Sequence, residues 1–532
     1  MKRKYLLILS VSITALLFAG CSDDDFGPTG ITTKDPIGPT YDDDYSSIAS
    51  WNDRSQWNLA NVHDPSVVFD GTYYYMYSTD ASYGNEHVGH GHYLVRRSQD
   101  LVDWEFMAMA MSETPAWVKD TLNNMRARAG LSPIDNPVYG HWAPVVRKVV
   151  DKYRMYYSIV VDNFIGNGLP NSADDFDHTW TEKAFIGMME TSDLAGNQWT
   201  DHGMVVCSVS DKGNDWSRSS YQDDWNAYFK YNAIDPTFIT TPEGEQWLIY
   251  GSWHSGIMAL QLNTDTGLPL NDFDLNDEST WGTPVYTRTS GSRWQASEGP
   301  EIVYNGSTGY YYLFLAYDEL SVAYNTRVCR SNSITGPYYD YSGNDITHGG
   351  EVYPIVTHPY KFNDHSGWVG ISHCGIFQQE STGDWFYTSQ ARLPENTGDN
   401  AYSNAIMMGH VRKIEWTEDG WPVVLPERYA AVPQDAITES DLTGNWEVIT
   451  LTYQRGVQQT STAMTLSPEH NATGAITETW SYDSTTGILT IGSLKLNVAR
   501  ELDWEESPRV PTIVFTGLDG SGQSVWGKKS QS

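Results

Sequence analysis

The feature that most constrains the fold of this chain is a motif that recurs at long intervals. Each copy combines an acid or a histidine with a strand-like segment, a glycine-containing turn and an aromatic strand. The copies begin at Asp64, His141, Asp235, Glu298 and His373. Repeated β units are typical of propellers, whose blades usually hold four antiparallel strands. The sequence therefore predicts an all-β chain with a five-bladed β-propeller.

The intervals between copies exceed an ordinary blade length of roughly 40 to 50 residues, which predicts inserted loops. Two polar insertions stand at 162–181 and 208–230. One helix is predicted near Pro115 to Ala129. After the last blade-like strands, a linker near 431–441 leads to a second unit of alternating strands, for which we predict a small β-barrel. The predicted domains are thus a propeller at 56–432 and a C-terminal β domain at 433–532.

Three copies place a carboxylate in front of an apolar, aromatic-rich strand. Asp64 and Asp235 directly precede a proline, and Glu298 precedes one after a single glycine. Because a residue before proline is biased away from helix, we expect extended backbone at both aspartates. Taken singly, each aspartate could be a turn residue that bonds to local backbone. Gathered by a propeller, the three acids form a set that glycoside hydrolysis needs, with one proton donor and one group acting on water or sugar.

The N-terminus has the features of an export signal. A basic start and a short apolar run over 1–20 end at Phe18-Ala-Gly-Cys21, which resembles a bacterial lipobox. This predicts lipidation of Cys21, followed by a flexible acidic tether at 21–55 that is rich in Gly, Pro, Asp and Ser. The acidic residues after Cys21 predict an outer-membrane lipoprotein exposed at the cell surface. The alternative is a plain secretory peptide with a chance cysteine.

Charge restricts the partners. The chain has 33 basic and 67 acidic residues, for a net charge of −34. Such a surface repels nucleic acid and anionic membranes, so we expect no nucleic-acid partner and membrane contact only through the lipid.

The three remaining cysteines have no C-x-x-C spacing, and we expect buried thiols.

The order of short motifs over 58–430 resembles glycoside hydrolase family 43, in particular its endo-α-1,5-L-arabinanases. The matching elements are Val62-His-Asp-Pro-Ser66, Trp142-Ala-Pro144, Asn232-Ala-Ile-Asp-Pro236, Gly251-Ser-Trp253, Glu298-Gly-Pro300 and Val411-Arg-Lys-Ile414. The tail, with Thr479-Trp-Ser-Tyr-Asp483, resembles the C-terminal domain of the two-domain extracellular enzymes. The resemblance implies a five-bladed propeller and inverting hydrolysis of furanosidic bonds. We expect a monomer that acts on the arabinan of pectin.

Carried over motif by motif, the resemblance makes Asp64 the general base, Asp235 the pKa modulator and Glu298 the general acid. The chemistry agrees, because an acid that donates its proton near neutral pH needs a raised pKa. A nearby ionised carboxylate such as Asp235 raises that pKa by like-charge repulsion.

The resemblance also implies further site residues. His373 would hold a metal ion, calcium, with waters in the central channel, although calcium prefers oxygen ligands and a lone histidine is commonly a satisfied core residue. Trp142 and Trp253 either contact sugar or pack between blades. Asn232 and Ser252 either bind sugar hydroxyls or satisfy backbone near Asp235. The candidate substrate contacts are His63, Trp142, Asn232, Ser252 and Trp253.

One position departs from the family pattern. The family commonly has Asp after Trp-Ala-Pro, and this chain has Val145. The departure leaves the three acids intact but puts the usual subsites in doubt.

The leading hypothesis is endo-cleavage of α-1,5-L-arabinan. The alternatives are an exo-acting α-L-arabinofuranosidase or β-xylosidase of the same family and a non-catalytic surface glycan-binding lipoprotein.

Overall fold

The computed structural model describes residues 58–79, 91–170, 182–209, 229–288, 297–363, 365–395 and 407–530. The predicted signal segment, Cys21 and the tether lie outside the described residues, as does most of both predicted insertions. Within the described part of the chain, no helix combines the length and the apolar character needed to cross a bilayer.

Five four-stranded antiparallel sheets confirm the predicted propeller. In each blade the strands follow one another in chain order, so every connection is a local hairpin. The strands of the five blades are, in the first, β1 (His63–Phe69), β2 (Tyr74–Thr79), β3 (His92–Ser98) and β4 (Glu105–Met111); in the second, β5 (Tyr139–Val149), β6 (Lys152–Val161), β7 (Lys183–Thr191) and β8 (Thr200–Cys207); in the third, β9 (Thr237–Thr240), β10 (Gln246–Tyr250), β11 (Gly256–Leu262) and β12 (Thr283–Thr287); in the fourth, β13 (Ser297–Asn305), β14 (Tyr310–Tyr317), β15 (Asn325–Ser331) and β16 (Ile355–Thr357); and in the fifth, β18 (Val369–Gln378), β19 (Trp385–Arg392), β20 (Met408–Trp416) and β21 (Pro422–Val424).

The first strands of the blades form the innermost ring. Strands β1, β5, β9, β13 and β18 each contact the next, and β18 contacts β1, so the ring closes. The residues before β1 also join the first blade to the start of β20 in the fifth, since Gly409 N donates to Leu59 O at 2.8 Å and Val62 N donates to Met407 O at 3.2 Å. The corresponding ends of these five strands therefore surround a common axis.

The blades stack through apolar layers on both sides of each sheet. In β14, Leu313 and Leu315 pack towards the third blade, while Tyr312 and Phe314 pack towards the fifth. A sheet covered on both faces needs apolar side chains at consecutive positions, which explains the run Tyr310-Tyr-Tyr-Leu-Phe-Leu-Ala-Tyr317. Truncation of a buried aromatic such as Phe314 to alanine is expected to cost about 3 to 5 kcal/mol.

The helix predicted near Pro115 to Ala129 is present as α1 (Ala116–Arg128). Its buried Arg126 forms an ion pair with Glu182, with Nη1 2.5 Å from Oε2. Cys207, Cys329 and Cys374 are buried free thiols, as expected.

The C-terminal unit is a closed eight-stranded barrel, which confirms the predicted small β-barrel. It follows a short helix, α2 (Glu439–Leu442), whose N-terminus is capped by Thr438. The remaining strands are β17 (Tyr360–Lys361) and β23 (Gln459–Thr460), which pair with each other, and the barrel strands β22 (Gly444–Thr450), β24 (Thr462–Leu466), β25 (Asn471–Gly474), β26 (Glu478–Asp483), β27 (Ile488–Ile491), β28 (Leu494–Asp503), β29 (Val510–Leu518) and β30 (Ser524–Lys529).

Propeller and barrel share a continuous interface. The β17–β23 pair joins them through backbone hydrogen bonds, and Ile449 and Trp526 of the barrel pack in one apolar cluster with Tyr360 of the propeller. Trp526 Nε1 and Thr516 Oγ1 both donate to Val424 O, at 2.8 and 3.0 Å. The barrel therefore braces the last two blades.

Candidate active site

One backbone feature recurs at the same end of all five innermost strands. In each blade a residue takes a left-handed conformation: Asp64 at φ 50°, Ala143 at 40°, Asp235 at 53°, Gly299 at 53° and His373 at 52°. The first four directly precede a proline. In four blades the pairing register shifts around this position, as in a β-bulge. Bulges re-aim side chains, and here they turn them towards the axis.

The expectation of extended backbone at Asp64 and Asp235 is therefore wrong. Proline disfavours the right-handed helical region for the preceding residue, and the bulge then selects the left-handed region rather than the extended one. Each such non-glycine residue costs on the order of 1 to 3 kcal/mol, a cost that commonly marks functional sites. We call the end of the axis where Asp64, Asp235, Glu298 and His373 lie the mouth.

Asp64 is held as an ionised group. Its Oδ2 accepts a hydrogen bond from Thr79 Oγ1 at 2.6 Å, and its Oδ1 lies 2.9 Å from His373 Nδ1. Its backbone N–H donates to Gln390 Oε1 at 3.1 Å, which fixes the bulge. Burial acts to raise its pKa, but the charge and hydrogen bond of His373 outweigh burial and lower the pKa to about 2. Asp64 is therefore ionised near neutral pH, as a proton acceptor must be.

Glu298 has the opposite setting. Tyr324 OH donates to Oε1 at 2.5 Å, while Trp253 Nε1 and Ser252 Oγ donate to Oε2, the latter at 3.3 Å. Burial and then the charge of Asp235 raise the pKa of Glu298 to about 7. The glutamate can therefore carry a proton near neutral pH.

Asp235 interacts through its charge with both Asp64 and Glu298. Its Oδ2 accepts from Gly299 N at 3.1 Å, and its own N–H donates to Ser158 Oγ at 3.2 Å. Burial raises its pKa; the charge of His373 acts in the opposite direction and that of Asp64 adds to the rise. The bond to Gly299 ties the carboxylate of Asp235 to the residue beside Glu298.

His373 connects the two ends of the set. Its Nδ1 lies 2.9 Å from Asp64 Oδ1 and 3.5 Å from Tyr324 OH, which in turn bonds to Glu298. Burial acts to lower its pKa, but the charges of Asp64 and Asp235 prevail and raise it to about 10. These contacts limit the distance from Asp64 Oδ1 to Glu298 Oε1 to about 9 Å, and inversion requires roughly 6.5 to 9.5 Å between the carboxyl groups.

The predicted substrate contacts divide into three groups. Ser252 and Trp253 lie in the mouth, where both bond to Glu298. Asn232 is buried behind Asp235, with its Oδ1 accepting from Ser208 Oγ at 2.8 Å, so it supports the backbone there. Trp142 is 39% exposed, and His63 lies close enough for its charge to lower the pKa of Asp64. Their contacts with sugar stay predictions.

Sequence reasoning missed the hydrogen-bonding partners of the acids. Thr79 ends β2, Gln390 belongs to β19, and Tyr324 stands just before β15. None belongs to a recurring motif, and each reaches its acid only through strand pairing and blade closure. A polar residue at the end of an otherwise apolar strand, as at Thr79, is the one signal that the sequence offers.

Below the mouth, a hydrogen-bonded set of residues crosses the axis. Arg147 Nη2 forms an ion pair with Glu301 Oε1, and its Nη1 donates to Ser66 Oγ at 3.0 Å. Glu301 Oε2 accepts from Thr237 Oγ1 at 2.6 Å, and Oε1 accepts from Ile376 N at 3.1 Å. Each innermost strand thus supplies one member, and we call this set the axial ring.

Val145, where the family commonly has Asp, does not join the mouth or the axial ring. It is buried in the apolar layer between the second and third blades. The departure therefore removes a carboxylate from this position without altering the contacts of the three acids.

The acidic side chains that come closest together lie away from the predicted calcium position. Among the described residues, three ligating groups meet within 4.8 Å only at Glu427, Asp503 and Glu505, between propeller and barrel. This buried triad could hold a metal ion. However, Lys528 Nζ already lies 3.0 Å from Glu427 and from Asp503, and 2.5 Å from Glu505. We call these four residues the interface cluster; His373 is not among them.

The fold and the site together define a class of enzyme. A propeller that gathers an ionised aspartate, a second aspartate and a proton-bearing glutamate at one end of its axis has the groups of a glycoside hydrolase. Comparison with known families agrees. The model of glycosyl hydrolases family 43 matches residues 59–422, and a C-terminal lipocalin-like domain of that family matches 426–527. The chain belongs to glycosyl hydrolase family 43.

Individual relatives span nearly the whole chain. Extracellular endo-α-(1→5)-L-arabinanase 2 of Bacillus subtilis is 27% identical over 88% of this chain and 93% of its own length. The corresponding enzyme of Thermotoga petrophila is 26% identical over 90% and 95%. A crystal structure of the Thermotoga petrophila endo-1,5-α-L-arabinanase with Tris superposes with a TM-score of 0.66 at 24% identity, covering 90% of this chain and all of that one. This structural likeness shows the shared two-domain fold.

Proposed function

We propose that this protein is an inverting endo-α-1,5-L-arabinanase that acts on pectic arabinan at the cell surface. The observation that carries the proposal is the divergence of two acids in one mouth. Asp64 has a pKa of about 2 and Glu298 a pKa of about 7. Pairs of carboxyl groups pushed apart in this way identify a base and an acid. The relatives named as endo-arabinanases support the choice of substrate.

In the proposed reaction Asp64 takes a proton from water, whose oxygen attacks the anomeric carbon. Glu298 gives its proton to the glycosidic oxygen as the carbon–oxygen bond breaks on the opposite face. The product sugar therefore has the inverted configuration. Thr79 and His373 orient Asp64, while Tyr324, Trp253 and Ser252 orient Glu298. Proton exchange with solvent then restores the ionised aspartate and the protonated glutamate.

Asp235 supports the acid in this scheme. Its charge contributes to the raised pKa of Glu298, second only to burial. Its bond to Gly299 N fixes that charge beside the glutamate. Replacement by asparagine would remove the charge and keep the shape, so the pKa of Glu298 would fall.

The described residues around His373 do not by themselves fit the calcium ion predicted there. The protein offers one imidazole there, and its Nδ1 is already directed at Asp64. Because calcium normally takes six to eight oxygen ligands, the described residues do not form a calcium site without water. We therefore assign no chemical step to the ion. Treatment with a chelator, followed by calorimetry of calcium binding to wild type and His373→Ala, tests whether the ion binds at this residue.

The proposed location depends on Cys21. A lipidated Cys21 followed by an acidic tether would hold a polymer-cutting monomer at the outer surface of the outer membrane. The variant Cys21→Ser should then leave the membrane fraction, and protease added to intact cells should degrade the wild type. Retention of Cys21→Ser in the membrane would contradict lipid anchoring. Sedimentation of the domain lacking the lipid tests the monomer.

The central experiment follows products over time from linear arabinan, with Glu298→Gln beside wild type. Mixed oligosaccharides released early by wild type alone support endo-hydrolysis, and NMR of fresh product reports inversion. Release of single arabinose units would favour the exo-acting alternative. Glu278→Gln is the matched control, because Glu278 is an exposed glutamate in the third blade. Binding without turnover would favour the glycan-binding alternative.

A further inference from the structure

The residue that bonds to Oε1 of Glu298 comes from a loop rather than from a strand. Strands β14 and β15 are joined by residues 318–324, and Tyr317 pairs with Asn325 at the base of this hairpin. The last loop residue, Tyr324, is buried and donates to Glu298 Oε1 at 2.5 Å. The position of this hydroxyl therefore depends on how the loop is held.

The C-terminal barrel holds the beginning of the loop. After β22, the chain runs over the propeller, and Tyr453 OH donates to Asp318 Oδ1 at 3.0 Å. Two residues further on, Arg455 Nη2 lies 3.0 Å from both carboxylate oxygens of Glu319. The pair with Glu319 is largely exposed and contributes little. The bond to Asp318 is different, because Asp318 is fully buried.

Asp318 passes this restraint to the other end of the loop. Its Oδ2 accepts from Asn325 Nδ2 at 2.9 Å, and the same amide donates to Ala323 O at 3.1 Å. Ala323 directly precedes Tyr324. Asp318 itself has a left-handed φ of 66°, which surrounding contacts must maintain. A short chain of hydrogen bonds thus leads from the barrel to the residue next to Tyr324.

The ring of Tyr453 is fixed as well as its hydroxyl. The guanidinium of Arg327 lies 4.6 Å from its centroid and 4.1 Å from that of Tyr317. Arg327 Nε also donates to Asn325 Oδ1 at 2.9 Å. On the opposite side the loop packs on Gly370 so closely that a Cβ there would lie 2.5 Å from Ser321 O. The loop is therefore held between the fifth blade and the barrel segment.

We propose that Tyr453 is a positioning residue for the reaction, through which the barrel fixes the hydroxyl of Tyr324 on Glu298. The inference rests on the proposed function, because it assigns Glu298 the role of proton donor. Tyr324 touches the reacting carboxyl group, whereas Tyr453 acts only through Asp318 and the loop. The barrel is then part of the catalytic machinery and not only a brace.

The test compares Tyr453→Phe with Thr516→Val on arabino-oligosaccharides. Both variants remove one interdomain hydrogen bond of 3.0 Å and keep the shape of the side chain, but Thr516 bonds to Val424 O in the fifth blade and Tyr453 to Asp318 in the loop. We expect Tyr453→Phe to lower kcat about 3- to 10-fold with little change in KM, and Thr516→Val to leave kcat unchanged. Equal kcat values for the two variants would overturn the proposal.

A second measurement links the effect to proton donation. An aryl arabinotrioside releases a phenolate, which needs less help from a general acid than a sugar hydroxyl does. The kcat loss in Tyr453→Phe should therefore shrink on the aryl substrate. In a Tyr324→Phe background, itself about 10- to 100-fold slower, the second substitution should add no further loss. Additive losses would mean that Tyr453 acts elsewhere, which contradicts the proposal.

Hydrogen exchange makes the test independent of turnover. Amides of 318–325 should exchange faster in Tyr453→Phe than in wild type or Thr516→Val. If wild type does not cut arabinan, the proposed function fails, and exchange still decides whether Tyr453 orders the loop. Unchanged exchange over 318–325 in Tyr453→Phe would refute the positioning role, whatever the substrate.

Discussion

The mouth and the interface cluster are both buried groups of three carboxylates with one nitrogen base. They differ in how many of the carboxylates that base contacts. In the interface cluster Lys528 Nζ lies within 3.0 Å of all three acids, and its own side chain is 2% exposed. Among the three acids of the mouth, His373 is bonded directly only to Asp64. The side chains of His373 and Asp64 are 13% and 15% exposed. The interface cluster therefore has a cation bonded to three acids, and the mouth has a cation bonded to one.

The difference in contacts explains the difference in chemistry. His373 bonds directly to Asp64, and the pKa of Asp64 falls; at Glu298 its charge does not offset burial and the charge of Asp235, and the pKa of Glu298 rises. Lys528 leaves no member of its cluster without a cationic partner, and its own pKa is raised by the acids against the effect of burial. In the mouth the cation lies beside the proposed base, whereas in the interface cluster it bonds to acids of both propeller and barrel.

The mouth and the interface cluster also differ in backbone conformation. The mouth acids Asp64 and Asp235 adopt left-handed conformations. Asp503 and Lys528 lie in regular paired strands of the barrel. At the mouth this backbone conformation directs side chains to the axis.

The largest expected effect is that of Glu298→Gln. Glutamine keeps the size of the side chain but cannot give up a proton to the leaving oxygen. We expect kcat on arabinan to fall about 100- to 10,000-fold, while denaturation midpoints change little. Initial-rate kinetics and thermal melts measure both quantities. A variant with kcat within threefold of wild type would remove Glu298 from the role of general acid.

In the interface cluster, Lys528→Met should affect stability rather than turnover. It leaves three buried carboxylates without their cation, so we expect a loss of about 3 to 5 kcal/mol in the free energy of unfolding. Urea denaturation measures this loss. Turnover by the folded fraction at low temperature should persist, in contrast to Glu298→Gln. Unchanged stability would show that the carboxylates are neutralised in another way.

The pH dependence of kcat/KM should show the same asymmetry. As the proposed general acid, Glu298 must be protonated to act, so activity should fall as pH rises through about 7. As the proposed general base, Asp64 must be ionised, and its pKa of about 2 predicts no acid limb from this group above pH 3. Rates with buffers of constant ionic strength check both limbs. In Asp235→Asn the basic limb should move to lower pH; a shift to higher pH would contradict the role given to Asp235.

The smallest expected effect is that of Glu301→Gln in the axial ring. The amide keeps an acceptor for Thr237 and loses the charge opposite Arg147, which is 20% exposed in its side chain. We expect a loss of about 1 to 3 kcal/mol in stability and a kcat within threefold of wild type. A much larger fall in kcat would place Glu301 with the acids of the mouth.

The fold was predictable because its determinants are local. Apolar strands covered on both faces read as continuous aromatic runs, and turn residues such as Asp70-Gly71 separate them. The acids could be singled out because each stands in a motif at the front of a strand. The left-handed backbone at Asp64 could not, since it depends on the bulge that strand pairing creates. Thr79 and Tyr324 likewise reach the acids only after the blades close.

Charge partners across the axis were also beyond sequence reasoning. Arg147 follows Val145 in a motif that drew attention for its missing carboxylate, while Glu301 stands beside the predicted acid Glu298. Nothing in either motif indicates that these two side chains meet, because 154 positions separate them. Their pairing follows from ring closure, which no local pattern encodes.

The axial ring has a consequence for the closure of the propeller. Ser66, Arg147, Thr237, Glu301 and the backbone of Ile376 form a hydrogen-bonded set beneath the acids, with one member from each blade. Neighbouring blades are joined by packing between their sheets, but this set ties the first, second, third and fifth blades to the fourth through Arg147 and Glu301. The charge of a single glutamate therefore helps to hold the circle of blades at a constant diameter under the acids.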